Sequence, residues 1–288
     1  MKGIVLSGGS GSRLYPATNV ITKQLLTIYN KPMIYYPMST LMLAGIKDIM
    51  VITRPDQINL YKSLFEDGSH LGINIEYKIQ ESPKGIAECF IIAEEFIGDD
   101  SVCLILGDNI FYGDALPTIL RTSREITENN KSVIFGYHVN DAREYGVIEY
   151  NRNRRVVSIE EKPENPKSNC AAVGLYMYSN DVVKIAKTIS PSSRGELEIT
   201  DVNNVYLKRK KLMLEIFGRG YAWFDACSHD SLLEASNFIQ TIEKRQGLKI
   251  ACLEEIAYNL GYISKRQLLR LAGNLGKNEY SNYLYGIV

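Results

Sequence analysis

The chain has 288 residues, of which 45% are apolar and 23% charged, as expected for a soluble globular protein with one large or two small domains. Basic and acidic residues both number 33, so the net charge of zero argues against nucleic acid as a partner, which usually needs a basic face. No apolar run approaches the roughly 20 residues of a membrane span, and we expect neither a membrane anchor nor a signal peptide. The five scattered cysteines show no metal-ligand spacing and favour a reducing cytoplasm.

Apolar runs and turn signals predict alternating strands and helices along the chain. Strands are expected at residues 4–6, 46–53, 73–79, 102–106, 133–139, 146–150, 156–160, 172–178, 212–218 and 221–224. Helices are expected at residues 31–45, 57–65, 85–96, 181–189, 200–210, 242–248, 253–260 and 265–271. Pro37 predicts a kink or a late start in the first helix, and Gly45 predicts its end. The alternation favours an α/β fold with a mixed, mostly parallel sheet flanked by helices, followed by a helical C-terminal extension and no β-helix.

A loop rich in glycine and serine follows the first strand. Its residues are Gly8, Gly9, Ser10, Gly11 and Ser12. Glycine lets backbone N–H groups approach a ligand closely, and a nest of such groups favours anionic oxygens. Arg13 can fork onto phosphate oxygens, and Lys23 can add a point charge. Although the loop lacks the spacings of a dinucleotide fingerprint or a P-loop, the combination predicts a site for a triphosphate.

Two acidic residues follow apolar strands at positions suited to a cation. Ligands of open α/β sheets lie beyond the carboxyl ends of the strands, so we expect Asp108 to lie beside the glycine loop. Asp225 ends another predicted strand, and two carboxylates at one sheet edge predict a Mg²⁺ site. Farther along, Gln80 offers a donor and an acceptor that suit the imide edge of thymine or uracil, and Gly85 permits close backbone approach.

The segment at residues 6–16, together with Lys23 farther along the chain, resembles the signature of sugar-nucleotide pyrophosphorylases, in particular the glucose-1-phosphate thymidylyltransferases. The resemblance implies a Rossmann-like nucleotidyltransferase fold and Mg²⁺-dependent transfer of a nucleotidyl group from dTTP to α-D-glucose 1-phosphate, the first step toward dTDP-rhamnose-type sugars. It also implies a homotetramer inhibited by a dTDP-sugar end product. We expect a catalytic domain at residues 1–240, with an NTP half over about 1–110 and a sugar-phosphate half over about 111–240, and an assembly or regulatory extension at 241–288.

The same resemblance assigns roles to individual residues. It assigns catalysis to Arg13, Lys23 and Lys162. It assigns nucleotide binding to the glycine loop, Arg13, Lys23, Gln24, Gln80, Pro83, Gly85 and Asp108. Sugar binding falls to Asn109, Tyr145, Gly146, Glu161, Lys162 and Val173, and metal binding to Asp108 and Asp225. A regulatory site would include Tyr112, Gly113, Arg219, Glu255 and Ile256. The chain departs from the family pattern at Lys84, Glu88 and Cys227, where Asp, Gln and Gly are usual.

Two alternative functions stay open from the residues. An enzyme of the same fold could use UTP or CTP, because Gln80 suits uracil as well as thymine. A non-catalytic sugar-nucleotide sensor would instead lack one of the charged residues of the phosphate site, and all of them are present. An oxidoreductase would need the dinucleotide fingerprint, which is missing.

Overall fold

A computed structural model describes all 288 residues, and strands and helices alternate through its first half. The strands are β1 (Lys2–Ser7), β2 (Thr27–Ile28), β3 (Lys31–Pro32), β4 (Asp48–Thr53), β5 (Asn74–Ile79), β6 (Val102–Leu106), β7 (Asn109–Tyr112), β8 (Ser132–His138), β9 (Gly146–Tyr150), β10 (Val156–Glu161), β11 (Cys170–Tyr178), β12 (Leu212–Phe217) and β13 (Ala222–Asp225). The helices are α1 (Tyr35–Leu43), α2 (Ile58–Phe65), α3 (Glu88–Ile92), α4 (Glu94–Ile97), α5 (Leu116–Glu128), α6 (Val182–Ala186), α7 (Ile199–Lys208), α8 (His229–Gln246), α9 (Leu253–Asn259), α10 (Lys265–Asn274) and α11 (Glu279–Gly286). No helix is long and apolar enough to cross a membrane.

Nine strands form one mixed sheet. Its main path runs β10-β9-β11-β6-β1-β4-β5, and β8 joins β11 to β12 beside that path. The strands β6, β1, β4 and β5 are parallel, whereas β11 runs antiparallel to β6, β8 and β9. The parallel strands come from the strand–helix units of the N-terminal half, and the hairpin β9–β10 supplies the predicted mixed region. The predicted fold class is confirmed.

Helices cover both faces of the sheet because the central strands are apolar on both sides. Along β1, Val5 packs into a cluster with α1, α2, α5 and the C-terminal helices, while Ile4 packs into a second cluster with α3, α6 and α7. The same alternation holds in β6, where Cys103 and Ile105 face the first cluster and Leu104 faces the second. Successive side chains of a strand point to opposite faces, so each strand contributes to both cores.

The helical extension is anchored to the N-terminal half by buried charges. Lys31, on the short strand β3, lies 2.9 Å from Oε1 of Glu243 on α8, and Lys249 lies 3.6 Å from Oε2 of the same carboxylate. The three side chains are almost completely buried. Burial lowers the pKa of Lys31, although the charge of Glu243 opposes this shift. One buried carboxylate is therefore the counter-charge shared by two buried ammonium groups, and Lys249 also pairs with the exposed Glu279.

At three places the structure refines or departs from the local predictions. The helix expected from residue 31 begins at Tyr35, because Lys31–Pro32 pairs with Thr27–Ile28 as a hairpin, so the predicted late start is confirmed. The helix expected at 85–96 is replaced by a loop at 85–87 and by α3 and α4, since Gly85 has φ +102° and is held against Leu197. The strand that carries Asp225 pairs with β7 in a separate two-stranded ribbon rather than joining the main sheet.

The buried charges generate a stability prediction for Glu243→Gln. The substitution leaves Lys31 and Lys249 without a buried counter-charge, and we expect a loss of about 3–5 kcal/mol in the free energy of unfolding. Glu279→Gln is the matched control, because Glu279 also pairs with Lys249 but its side chain is 84% exposed, so its loss should stay below about 1 kcal/mol. Urea unfolding measures both, and equal losses would contradict the assignment.

Candidate active site

The glycine loop lies at the carboxyl end of β1, directly beside the end of β6. The two strands are parallel neighbours, with Leu6 opposite Leu106, so the loop and Asp108 leave the sheet side by side as predicted. A Cβ added to Gly8 would lie 2.0 Å from Oε1 of Gln80, so no larger residue fits there without moving that side chain. Gly11 has φ +66°, which the turn into the following 3₁₀ helix requires.

Lys23 forms a buried ion pair with Asp108 at this edge of the sheet. Burial lowers the pKa of Lys23, but the carboxylate of Asp108 outweighs it and the net shift is upward. Burial likewise acts to raise the pKa of Asp108, and the ammonium of Lys23 brings it below its ordinary value. Both groups are therefore charged at neutral pH, and Lys23 is held at the bottom of the cleft.

Asp225 reaches the same edge from the β7–β13 ribbon, where it is paired with Asn109. Burial, and then the charge of Asp108, raise the pKa of Asp225 to about 6. The Asn109 amide donates to Oδ1 of Asp108 over 2.9 Å and accepts from the Trp223 indole over 2.7 Å. The two acids predicted to share a sheet edge are thus neighbours, but the ribbon rather than the main sheet brings them together.

The predicted site residues line two adjoining cavities. The nucleotide-side cavity is lined by Gly9, Lys23, Gln24, Gln80, Pro83, Gly85 and Asp108, together with apolar neighbours. The sugar-side cavity is lined by Arg13, Tyr145, Gly146, Glu161, Lys162 and Asp225, among others. Ile86, Leu106 and Glu196 line both cavities, which therefore form one continuous cleft.

Polar contacts hold the sugar-side wall in place. Oε2 of Glu161 accepts a hydrogen bond from the Thr200 hydroxyl, and its other oxygen lies 3.4 Å from Arg194. Lys162 has φ +42°, a conformation that costs a non-glycine residue on the order of 1 kcal/mol. Its N–H donates to the carbonyl of Tyr145 over 3.0 Å, and this bond fixes the turn by which Lys162 leaves β10. Strain at a cleft residue of this kind is typical of functional sites.

Arg13 is exposed at the mouth of the cleft and contacts a residue that departs from the family pattern. Its Nη1 lies 3.2 Å from Sγ of Cys227, two residues beyond Asp225. Burial, and then the charge of Asp225, raise the pKa of the Cys227 thiol to about 11, so it is neutral at physiological pH. A neutral thiol accepts only weakly, which leaves the Arg13 guanidinium available to an anionic ligand.

Several predicted residues do not line the cleft with their side chains. Val173 is completely buried in the core. Asn109 is 2% exposed, and its side-chain amide donates to Asp108 and accepts from Trp223 and from the backbone N–H of Gly174. Of the glycine loop, Gly9 lines a cavity, whereas Gly8, Ser10, Gly11 and Ser12 do not, and both serines are exposed. The assignments of these residues to nucleotide or sugar stay predictions.

The predicted regulatory residues line neither cavity of the cleft. Arg219 is exposed, Ile256 packs against the core, and a Cβ on Gly113 would collide with the Tyr221 ring at 2.3 Å. Glu255 accepts a hydrogen bond from the Tyr283 hydroxyl over 2.7 Å, and the Tyr112 ring packs edge-on against Phe238. The regulatory site stays a prediction.

One contact beside the cleft could not be paired from the sequence. The backbone N–H of Leu197 donates to the carbonyl of Lys84 over 2.7 Å, and the N–H of Ala87 donates back to the carbonyl of Leu197 over 3.1 Å. A Cβ on Gly85 would lie 2.4 Å from the Leu197 backbone. These backbone hydrogen bonds tie the nucleotide-side loop to the segment that carries Glu196. They require a residue without a Cβ at position 85, but the sequence does not indicate that Leu197 is the backbone that approaches it.

Comparison with known proteins identifies the family to which the chain belongs. A model of the family described as nucleotidyl transferase matches residues 2–242. The chain therefore belongs to the nucleotidyl transferase family, as its cleft of cations and carboxylates indicates.

Within this family, named relatives match over nearly the full length. The chain is 53% identical to a glucose-1-phosphate thymidylyltransferase of Neisseria meningitidis over 284 residues, which cover 99% of this chain and 98% of the relative. It is 50% identical to one of Mycobacterium tuberculosis, with the same coverage. Among solved structures, a Bacillus anthracis protein assigned as a glucose-1-phosphate thymidylyltransferase matches with a TM-score of 0.75 and 39% identity, over 83% of this chain and 94% of that one. A UDP-glucose pyrophosphorylase with UDP-glucose shares the fold, with a TM-score of 0.74 and 24% identity over 84% and 98%. The resemblance stated from the sequence is confirmed.

The electrostatics of the cleft predict opposite effects for two isosteric substitutions. Because the pKa of Asp225 rises from 3.8 to about 6 on folding, the native state loses stability as the pH rises through that interval. At pH 7, Asp225→Asn should therefore stabilise the ligand-free protein by about 1–3 kcal/mol. Asp108→Asn should destabilise it, because Lys23 loses its partner.

Calorimetric melting without nucleotide or Mg²⁺ measures both substitutions. We expect Asp225→Asn also to flatten the decrease of the melting temperature between pH 4 and pH 6. If the melting temperatures of both variants shift in the same direction, the opposite electrostatic contributions assigned to Asp225 and Asp108 are wrong.

Proposed function

We propose that this chain transfers a thymidylyl group from dTTP to α-D-glucose 1-phosphate and releases pyrophosphate. One observation carries the proposal: Arg13, Lys162 and Asp225 line one cavity, while Lys23 and Asp108 line the cavity that adjoins it. Cations thus surround the junction where two phosphoryl groups would meet. The names of the full-length relatives support dTTP and glucose 1-phosphate as the substrates.

The reaction requires positioning and charge neutralisation rather than a covalent intermediate. A phosphate oxygen of the sugar phosphate, already an anion, attacks the α-phosphorus in line, and the bond from that phosphorus to the β-phosphate oxygen breaks. No proton has to be removed from the nucleophile. We assign Lys162 to orienting the sugar phosphate, Arg13 and the loop amides to the leaving phosphates, and Lys23 to the negative charge that develops on them.

The acids of the cleft fit a Mg²⁺ ion. Asp108 and Asp225 lie close enough for the charge of one to raise the pKa of the other, and such a pair favours a shared cation. Two carboxylates are the usual protein contribution for Mg²⁺, which completes its shell with water and phosphate oxygens. When bound by these residues, Mg²⁺ would supply further neutralisation of the phosphate charge. In the ligand-free protein Lys23 forms an ion pair with Asp108, so Lys23 and Mg²⁺ would both interact with that carboxylate.

The remaining expectations stand as proposals of the same function. Residues 1–110 would bind the NTP, 111–240 the sugar phosphate, and 241–288 would serve assembly into a homotetramer and inhibition by a dTDP-sugar. The five cysteines are all free thiols, which fits a cytoplasmic enzyme.

Pyrophosphate release with glucose 1-phosphate tests the proposal directly. We expect turnover with dTTP to exceed turnover with UTP, CTP or ATP when each is supplied with Mg²⁺, and product formation to stop when the metal is chelated. A preference for UTP or CTP would identify a different nucleotidyltransferase of the same fold. The absence of pyrophosphate with every NTP would favour a sugar-nucleotide sensor.

Substitution of the cleft cations tests the assigned roles. We expect Arg13→Ala and Lys162→Ala each to lower kcat/KM on the order of 10²–10³-fold, the usual effect of removing a positioned charge. Lys167→Ala is the control, because this exposed lysine pairs with Glu160 outside the cleft and its loss should leave turnover unchanged. Near-normal kcat/KM in either cleft variant would remove its residue from the mechanism.

A further inference from the structure

The beginning of α2 contacts the segment that leads into Lys23. Gln57, the residue before α2, accepts a hydrogen bond at Oε1 from the backbone N–H of Thr22 over 3.2 Å. Tyr61 follows four residues later, and residues four apart lie on the same face of a helix, so it faces the same segment. Thr22 immediately precedes the 3₁₀ helix Lys23–Leu25. The contacts of α2 therefore act on the residue before the cleft lysine.

The hydroxyl of Tyr61 lies among three other buried hydroxyls. Ser7 pairs with Thr53 where the parallel strands β1 and β4 end, and Thr22 is the third neighbour. Tyr61, Ser7 and Thr53 are completely buried, and Thr22 is 7% exposed. Burial raises the pKa of Tyr61, whereas the three hydroxyls, and then the charge of Lys23, act to lower it. The phenol thus lies within electrostatic range of the cleft lysine.

The hydroxyl hydrogens in this cluster are arranged so that Tyr61 can only donate to two of its neighbours. Thr22 donates to Oε1 of Gln24 over 2.6 Å, and Thr53 donates to the carbonyl of Ser7 over 3.5 Å. A hydroxyl has one hydrogen, so both threonine oxygens can only accept from the phenol. The Tyr61 and Ser7 hydroxyls themselves form no full hydrogen bond. Burying such groups is unfavourable, so the hydroxyl of Tyr61 needs an explanation other than stability.

We propose that Tyr61 and Gln57 are positioning residues for Lys23. They hold the hydroxyl and the backbone N–H of Thr22, so the lysine leaves its 3₁₀ helix at a fixed place opposite Asp108. A lysine carries its charge on a flexible stem, and fixing the start of that stem limits where the ammonium can reach. The inference rests on the proposed function, in which Lys23 meets the negative charge that develops on the leaving phosphates.

Tyr61→Phe tests the role of the hydroxyl and leaves the ring in the core. We expect kcat with dTTP to fall on the order of tenfold while KM stays within about twofold, because a misplaced charge that acts in the transition state lowers kcat and kcat/KM equally. The melting temperature should not fall, since the lost hydroxyl has no full hydrogen bond. An unchanged kcat, or a fall in kcat that only accompanies a fall in melting temperature, would overturn the role of Tyr61.

Tyr206→Phe is the matched control for loss of a buried phenol hydroxyl. Tyr206 is also completely buried, but its hydroxyl donates to Asp181 over 2.8 Å and lines neither cavity of the cleft. Its removal should lower the melting temperature and leave kcat unchanged. The two phenylalanine variants should therefore show opposite patterns of stability and turnover.

Substitutions of Thr22 test the path from Tyr61 to the lysine. Thr22→Val removes the hydroxyl at nearly constant shape and should lower kcat, whereas Thr22→Ser keeps the hydroxyl and should restore it. The double variant Tyr61→Phe with Thr22→Val should lose no more than the larger single loss, because both changes break the same contact. Losses that multiply would show that Tyr61 does not act through Thr22.

Amide hydrogen exchange separates this proposal from failure of the proposed function, because it needs neither nucleotide nor turnover. We expect exchange over residues 22–26 to accelerate at least about threefold in Tyr61→Phe and in Gln57→Leu, which removes the acceptor of the Thr22 N–H, and to stay constant in Tyr206→Phe. If the wild type releases no pyrophosphate, accelerated exchange still supports the positioning of this segment. Unchanged exchange in both α2 variants would overturn it.

Discussion

The buried ammonium of Lys23, placed between two carboxylates, is the interaction on which the cleft depends. It pairs with Asp108, while burial, and then the charge of Asp108, raise the pKa of Asp225 to about 6. Desolvated like charges are unfavourable in the free protein. A bound cation would relieve the repulsion, so the arrangement gives up stability in the ligand-free state in favour of affinity for a metal and its phosphates.

Several separate chain segments meet at this cluster, and hydrogen bonds from the side chain of Asn109 join three of them. Its amide nitrogen donates to Asp108, and its oxygen accepts from the backbone of Gly174 and from the indole of Trp223. The Trp223 ring in turn packs edge-on against Tyr145 on the sugar-side wall, with 5.2 Å between ring centroids. Asn109, which is predicted to touch the sugar, thus holds the carboxylate of Asp108 and pairs with Asp225 in the ribbon, and its role toward the sugar stays a prediction.

The parts of the site that follow from local sequence patterns could be predicted, and the parts that depend on long-range pairing could not. Asp108 and the glycine loop follow apolar strands, and parallel β1 and β6 place the ends of such strands together, so this half of the site could be predicted. Asp225 also ends a strand, but its pairing with β7 depends on a ribbon that no periodicity marks. The contact between Gly85 and Leu197 joins two backbones distant in the chain. Gly85 marks a close backbone approach, but nothing in the sequence identifies Leu197 as its partner.

The structure separates the chemistry of the phosphates from the recognition of the base. Lys23, Asp108 and Asp225 form one buried charged cluster, in which the charges of Asp108 and Lys23 act on the pKa of Asp225. Gln80 instead belongs to a loop that is held by Glu88 on one side and by the Leu197 backbone on the other. Substitutions in that loop can therefore change which base fits without disturbing the charged cluster. This separation is consistent with the departures at Lys84 and Glu88 in a chain that keeps every charged residue predicted for the phosphates.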